Sequence, residues 1–328
     1  MAQVAATPLA VLDHDQVERL LPMRECIDVV QEALKALDRG EYAMPLRTIY
    51  SPPGAVGAMA WMPAHRSGEH AVFGMKLLVV VPGNPARGLD SHQGAVVLMD
   101  GTTGQLRAVL DASAVTAIRT AAVSAAATRA LAREDSETLA IIGTGVQARK
   151  HLEAIPLVRP IRRVLIAGRT RQRAEEFVRS SSSDSGVSVE AAVSVEDALR
   201  DADVVVTCTS SRDPVITRAM LRKGMHINVV GGSQPPAHEL EPAALADVVL
   251  FTDRRESLEG EAHEWRTAVA QGIIKPDHLR GELGQLLNGS VAGRRTADEI
   301  TVFRSLGLAV EDVAAAQHVV GKAEKGRA

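Results

Sequence analysis

The sequence predicts a two-part α/β protein, in which a doubly wound parallel sheet is joined to an α+β domain built on antiparallel hairpins. Three observations carry this. From Thr138 onward, six short apolar runs alternate with helical patterns, the rhythm of strand–helix–strand crossovers. Between residues 45 and 110, β-rich runs are separated by Pro-Pro-Gly, Gly-Asn-Pro and Asp-Gly-Thr-Thr-Gly, which are turn clusters. Finally, Gly143-Thr144-Gly145-Val146-Gln147-Ala148 stands where a strand should end and a helix begin.

Composition agrees with two ordered domains. The chain has 328 residues, of which 46% are apolar, enough to bury a sizeable core in each half. With 37 Lys and Arg against 40 Asp and Glu there is no electrostatic reason to seek nucleic acid. An aromatic content of 2% argues against stacking platforms for bases or sugars. Apolar runs such as residues 77–81 are strand-length, far short of a bilayer span, and no secretion leader is recognised. Cys26 and Cys208 form neither a disulfide framework nor a metal spacing. The expectation is a cytoplasmic protein without metal, membrane or nucleic-acid partners.

The elements follow in order. Asp13 or Asp15 caps a helix running to Leu21, Pro22 breaks it, and residues 23–37 place Ile27, Val30, Ala33, Leu34 and Leu37 on one helical face. Strands are expected at 47–50, 58–62, 73–81, 94–100 and 106–111. An Ala-rich helix at 112–132 looks like a bridge between domains. Further strands are expected at 138–142, 163–167, 187–192, 203–207, 225–230 and 247–252, with helices at 151–158, 171–179 and 195–200. Residues 180–186, rich in serine, read as a surface loop. A last helix runs from after Leu306 to about residue 322, and the tail beyond it, ending at Arg327, reads as frayed. The domains are set at 1–120 with 308–328, and at 121–307.

The glycine loop is the G-x-G-x-x-G/A fingerprint of a Rossmann-type dinucleotide site in its required context. Gly143 permits the tight turn, Gly145 lets the backbone approach a pyrophosphate, and Ala148 lets the helix lie close to the strand. Thr144, Val146 and Gln147 lie in the same loop, whose helix start offers free N–H donors. The second strand ends Ala167-Gly168-Arg169-Thr170, without the acid that would bind a ribose 2′-hydroxyl. Arg169 can grip a 2′-phosphate and Thr170 can donate to it, with Arg171 and Arg173 adding positive potential. NADPH is therefore expected over NADH.

At this point the sequence resembles the ornithine cyclodeaminase/mu-crystallin family. The resemblance rests on Met44-Pro45-Leu46-Arg47-Thr48, Gly74-Met75-Lys76, Ser91-His92-Gln93-Gly94, residues 116–122, the 143–148 loop, Val229-Val230-Gly231-Gly232-Ser233 and residues 301–312. It implies a homodimer, with the N-terminal sheet and C-terminal helix forming a substrate-binding and dimerisation domain. It also implies that Arg47, Lys76 and Arg119 hold the substrate's carboxylate and amine-bearing carbon. The residues themselves fit. Lys76 sits in an apolar run and Arg119 in an Ala- and Val-rich helix, where a charge needs a partner. A bound carboxylate supplies one; an internal Asp or Glu, or a snorkelled stem, are the alternatives.

Cyclodeaminases of this family carry an Asp after the Gly pair, acting as a base on the substrate amine, whereas this chain has Ser233. The mu-crystallin and ketimine reductase branch is the more similar. The implied reaction is NADPH-dependent reduction of a cyclic imine carboxylate, such as Δ1-piperideine-2-carboxylate or Δ1-pyrroline-2-carboxylate. Arg47 and Arg119 would clamp the carboxylate, Lys76 would serve the imine nitrogen, and Ser233 would position that nitrogen or a water. Ser233 alternatively caps a helix after Pro235 and Pro236. His92 could bond substrate or fix Lys76. Thr120, Thr207, Cys208 and Thr209 complete the candidate cofactor contacts. Glu311 and Asp312 look like paired carboxylates, with their place in the first turn of a helix as the favoured explanation. Met59, Trp61 and Met62 are candidates for the pocket wall or the core. An amino-acid dehydrogenase or reductive aminase, a cyclodeaminase and a non-catalytic NADPH-binding protein are the competing readings.

Overall fold

The computed structural model describes residues 8–181, 187–233 and 236–326. Most of the expected serine-rich loop, Gln234 with Pro235, and the end of the tail lie outside these residues. The chain forms two compact units, residues 1–119 with 308–328, and residues 120–307.

The first unit begins with strand β1 (Ala10–Leu12) and helix α1 (His14–Leu20). Asp13 caps α1 reciprocally: its side chain accepts from the Gln16 N–H, and Gln16 accepts from the Asp13 N–H, both at 2.9 Å. Helix α2 (Met23–Asp38) buries Cys26, Ile27, Val30, Ala33 and Leu34, the face its spacing predicts. Then come β2 (Tyr42–Ala43), β3 (Thr48–Tyr50), β4 (Ala58–Arg66), β5 (Val72–Val80), β6 (His92–Asp100) and β7 (Leu106–Asp111). The sheet runs β1-β7-β6-β5-β4-β2, with β3 also on β4. All pairs are antiparallel except β1 with β7, a parallel edge pairing that a three-residue strand did not announce. Helix α3 (Ala112–Leu131) follows directly, almost entirely buried, as its small side chains allow.

The second unit holds β8 (Thr138–Ile142), α4 (Val146–Ala154), β9 (Arg163–Ala167), α5 (Arg171–Ser180), β10 (Ser188–Ala191), α6 (Val195–Leu199), β11 (Val204–Thr207), β12 (His226–Val229) and β13 (Val249–Thr252). Helices α7 (Arg255–Glu261) and α8 (His263–Ala270), strand β14 (Leu279–Glu282), helix α9 (Leu283–Leu287) and β15 (Thr301–Arg304) complete it. The sheet is parallel throughout, ordered β10-β9-β8-β11-β12-β15-β13-β14. Its first five strands have the doubly wound order, with the winding reversed between β8 and β11. Among the described residues there are eight strands where six were expected. β15, inserted between β12 and β13, is a four-residue run with Thr and Arg at its ends and lacks an apolar signature. Residues 237–240 form no helix: a loop leads to a bridge between Ile216 and Leu240, and the next helical turn, Pro242–Asp247, has Glu241 at its N-cap position, so Ser233 does not cap it.

The chain then returns to the first unit as helix α10 (Ala309–Lys325), which packs against β4, β5, β6 and α2. Gly74 makes that packing possible, because a Cβ there would overlap the Val313 side chain. No helix of the described residues is long and apolar enough to cross a membrane.

Candidate functional site

In the second unit, the glycine loop lies at the reversal point of the sheet. Gly143 has φ +139° and donates to the Ala167 carbonyl at 2.8 Å, and a Cβ on it would stand 2.7 Å from the Cys208 carbonyl oxygen. The turn after β8 is thus pressed against the end of β11, which brings Gly143 and Cys208 together. Gly145 precedes the first turn of α4, is exposed, and has open space where a Cβ would be. Ala148 is fully buried against the sheet. A missing side chain and a set of uncommitted N–H donors at one place fit a pyrophosphate. Thr144 lies over Gly168, where a Cβ would come within 2.9 Å of its methyl.

Past β9, Arg169, Thr170, Arg171 and Arg173 are all exposed. Thr170 caps α5, its hydroxyl oxygen accepting from the Arg173 N–H at 3.3 Å. Arg171 is drawn to Glu175 at 2.9 Å, whereas Arg169 and Arg173 pair with no carboxylate among the described residues. A buried chain links two further candidates. His151 bonds the Gln147 carbonyl through Nδ1 at 2.8 Å and the Ser124 hydroxyl through Nε2 at 2.9 Å, one turn beyond Thr120. The carbonyl requires a proton on Nδ1, so the neutral ring accepts from Ser124; burial lowers its pKa to about 4. Thr207 is fully buried, while Thr209 and Ser233 are partly exposed.

In the first unit, strand alternation aims Lys76 inward with Val72, Gly74 and Leu78. The register lines up Met62, Lys76, Val96 and Leu110 across β4 to β7. Arg47, one residue before the Thr48–Trp61 pair, falls on the same row beside Met62. Lys76 is 1% exposed; its Nζ lies 2.7 Å from Asp312 Oδ2 and donates to the Thr116 hydroxyl at 3.3 Å. Arg119, one turn after Thr116 on α3, donates from Nε to Asp312 Oδ1 at 2.8 Å and from Nη1 to Glu311 Oε2 at 2.9 Å.

The buried cations are therefore met by the chain's own carboxylates, not left for a ligand to neutralise. Glu311 and Asp312 do stand in the first turn of α10, but both are fully buried and their role is ionic. Burial, then the neighbouring Arg119 charge, pulls Lys76 down to about 8, against the pull of Asp312. Arg47 contributes to the same depression, which places its charge within reach of the ammonium. His92, at the start of β6, bonds the Ser91 hydroxyl at 3.1 Å. Burial first, then Lys76 and Arg119, lower its pKa to about 4, so it is neutral near pH 7. The four expected substrate residues thus belong to one electrostatic cluster, to which the structure adds Thr116, Glu311 and Asp312. Of the apolar candidates, Met62 shares the inner face, whereas Met59 and Trp61 alternate to the opposite one.

The model of the ornithine cyclodeaminase/mu-crystallin family matches residues 9–327. A Δ1-pyrroline-2-carboxylate reductase of Bacillus cereus is 35% identical over 321 residues, covering 97% of this chain and 98% of its own. The ketimine reductase mu-crystallin of Rattus norvegicus is 35% identical over 320 residues, covering 97% and 96%. Among solved structures, the Thermococcus litoralis Δ1-pyrroline-2-carboxylate reductase in complex with NADH and L-proline superposes with a TM-score of 0.93 at 32% identity, covering 97% of this chain and 98% of that one. An archaeal alanine dehydrogenase dimer with bound NAD gives 0.90 at 32% identity, covering 98% and 97%.

Proposed function

The chain belongs to the ornithine cyclodeaminase/mu-crystallin family, and on that premise we propose that it reduces a cyclic imine carboxylate to the cyclic amino acid at the expense of a reduced nicotinamide dinucleotide. The observation that carries this is the buried Lys76–Asp312–Arg119 bridge, in a chain whose other unit carries a complete dinucleotide loop. The relatives' named reactions support the substrate class.

The residues divide the work as follows. Arg119, fixed by two carboxylates, presents its guanidinium in one orientation, and Arg47 stands on the same row of the sheet. Together they hold the substrate carboxylate, so that little freedom is lost at the reacting step. The 143–148 loop and the residues after β9 would hold the cofactor, which when bound would supply the hydride for the imine carbon. Lys76 gives a proton to the imine nitrogen, so that C=N plus hydride plus proton becomes CH–NH. With its pKa near 8 it is a charged donor at neutral pH and is readily reprotonated afterwards. His92, neutral, serves as a hydrogen-bond partner. Ser233 replaces the Asp that the family's cyclodeaminases use as a base, which favours reduction over deamination.

The absence of an acid after β9, together with exposed Arg169, favours NADPH over NADH. A homodimer completes the proposal. The sheet face opposite α10 exposes Val11, Met59, Phe73 and Leu77, an apolar surface that we assign to a second copy; the similar archaeal alanine dehydrogenase structure is itself a dimer.

An amino-acid dehydrogenase is the second reading, favoured by the likeness to that same structure. Reduced-cofactor consumption separates the two. Five- and six-membered imine carboxylates should be turned over rapidly, with loss in Lys76→Ala. Steady turnover of pyruvate with ammonia or methylamine, and none of the imines, would refute the reductase reading.

A further inference from the structure

Two loops leave the carboxyl ends of adjacent parallel strands β11 and β12, and one buried carboxylate ties them together. Glu239 is completely shielded from solvent. Its Oε1 accepts from the Thr209 N–H at 2.5 Å and its Oε2 from the Gly231 N–H at 2.6 Å. Each oxygen thus accepts from the backbone of one loop, and the Thr207 and Thr209 side chains also interact with the carboxylate, favouring its charged form. The same turn is gripped from its other side by Arg304 of β15, whose Nη2 donates to the Gly232 carbonyl at 2.7 Å and Nη1 to the Val229 carbonyl at 3.2 Å. Arg304 is itself held by Glu264, which accepts from its Nε at 2.5 Å.

This clamp accounts for the glycine pair. A Cβ on Gly231 would lie 2.6 Å from Glu239 Cδ, and Gly232 has φ +65° with the His238 Cα only 2.8 Å from where its Cβ would be. Only glycine lets the loop descend onto the carboxylate. Neither Thr209 nor Ser233, the side chains flanking the clamp, is fully buried. The clamp stands at the ligand-binding edge of the sheet, where Cys208 already abuts the Gly143 turn. Burying a carboxylate is an inefficient way to stabilise two amides that water could satisfy, whereas it is an effective way to fix two loops in one shape.

We infer that Glu239 is a positioning residue that fixes the loops after β11 and β12 in the shape that receives the nicotinamide half of the cofactor, leaving the adenosine half to the 143–148 loop and the residues after β9. The inference rests on the dinucleotide reading of the second unit. Its test compares whole and truncated ligands: NADPH and NADH against ADP-ribose and its 2′-phosphate, titrated on the full chain by fluorescence and by competition. In Glu239→Gln an NH2 group faces one of the two amides, so one of the paired contacts is lost. Affinity for the dinucleotide should fall about tenfold, the worth of roughly one hydrogen bond, while affinity for ADP-ribose stays within about twofold. Gly231→Ala, which must push the carboxylate aside, should show the same selective loss. Equal losses for both ligands, or none, in folded variants would reduce Glu239 to a stabilising role and overturn the inference. Failure of the unaltered protein to bind any of the four ligands would instead overturn the dinucleotide reading itself.

Discussion

Replacing Asp312 by Asn tests the charged cluster where it is most exposed to error. The substitution keeps the volume and removes the one charge shared by Lys76 at 2.7 Å and Arg119 at 2.8 Å. Breaking a buried pair by neutralising one partner costs about 3–5 kcal/mol, because the remaining charge stays buried. If about a third of that falls on Lys76, its pKa drops by roughly one unit, since a unit is about 1.4 kcal/mol. The sign is fixed by the structure: Asp312 holds the ammonium's pKa up, so its loss sends the value below the present one of about 8. The protonated fraction at pH 8 would then fall roughly fivefold, whereas at pH 6 it would hardly change. The assay is kcat/KM for a cyclic imine carboxylate from pH 6 to 9, with circular dichroism to confirm folding and Asp312→Glu as the charge-preserving control. The variant should approach the unaltered protein at pH 6 and fall about fivefold behind by pH 8. A uniform loss across that range, with the alkaline limb still near 8, would refute the coupling between Asp312 and Lys76 and leave Asp312 as packing alone.

Other expectations are simpler. Arg169→Asp should raise the KM for NADPH about 10- to 100-fold while sparing NADH, if the guanidinium grips a 2′-phosphate; parallel changes for both cofactors would remove it from that role. Acid should weaken the fold before its carboxylates titrate. Burial lowers His151 to about 4 and His226 to about 3, so the unfolded chain takes up protons below about pH 6.5 when the native state does not. Stability should hold above that pH and fall by about 1.4 kcal/mol per pH unit per histidine as pH drops toward 4; urea midpoints unchanged between pH 7 and 5 would contradict this. Leu77→Glu, on the exposed face of β5, should yield a monomer by sedimentation, and a persisting dimer would place the interface elsewhere.

Much of this architecture was legible because short-range patterns determine it. Apolar runs bounded by turn residues located β8 and β9 to the residue, and the 3- and 4-residue spacing of Ile27, Val30 and Leu34 revealed the buried face of α2. β15 escaped because a four-residue strand ending in Arg304 resembles a loop until its pairing with β12 and β13 is known. The site divided similarly. Lys76 and Arg119 stood out as charges in apolar surroundings, but their partners lie far along the chain. The acids at 311 and 312 already had a sufficient local explanation in the helix dipole. Glu239 carried no signal either, since the amides it binds are backbone and every residue has one.

Helix α10 has a consequence for the order in which the protein can be made. Asp312 is separated from Arg119 by 193 positions and Glu311 by 192, so a chain emerging from the ribosome produces both cations long before either counter-charge exists. Until α10 arrives, the nascent sheet must keep Lys76 and Arg119 in contact with water, which delays closure of the first unit's core. The second unit is under no such restraint once β15 has been synthesised. Its sheet can close first, so that the unit begun earliest is the one finished last.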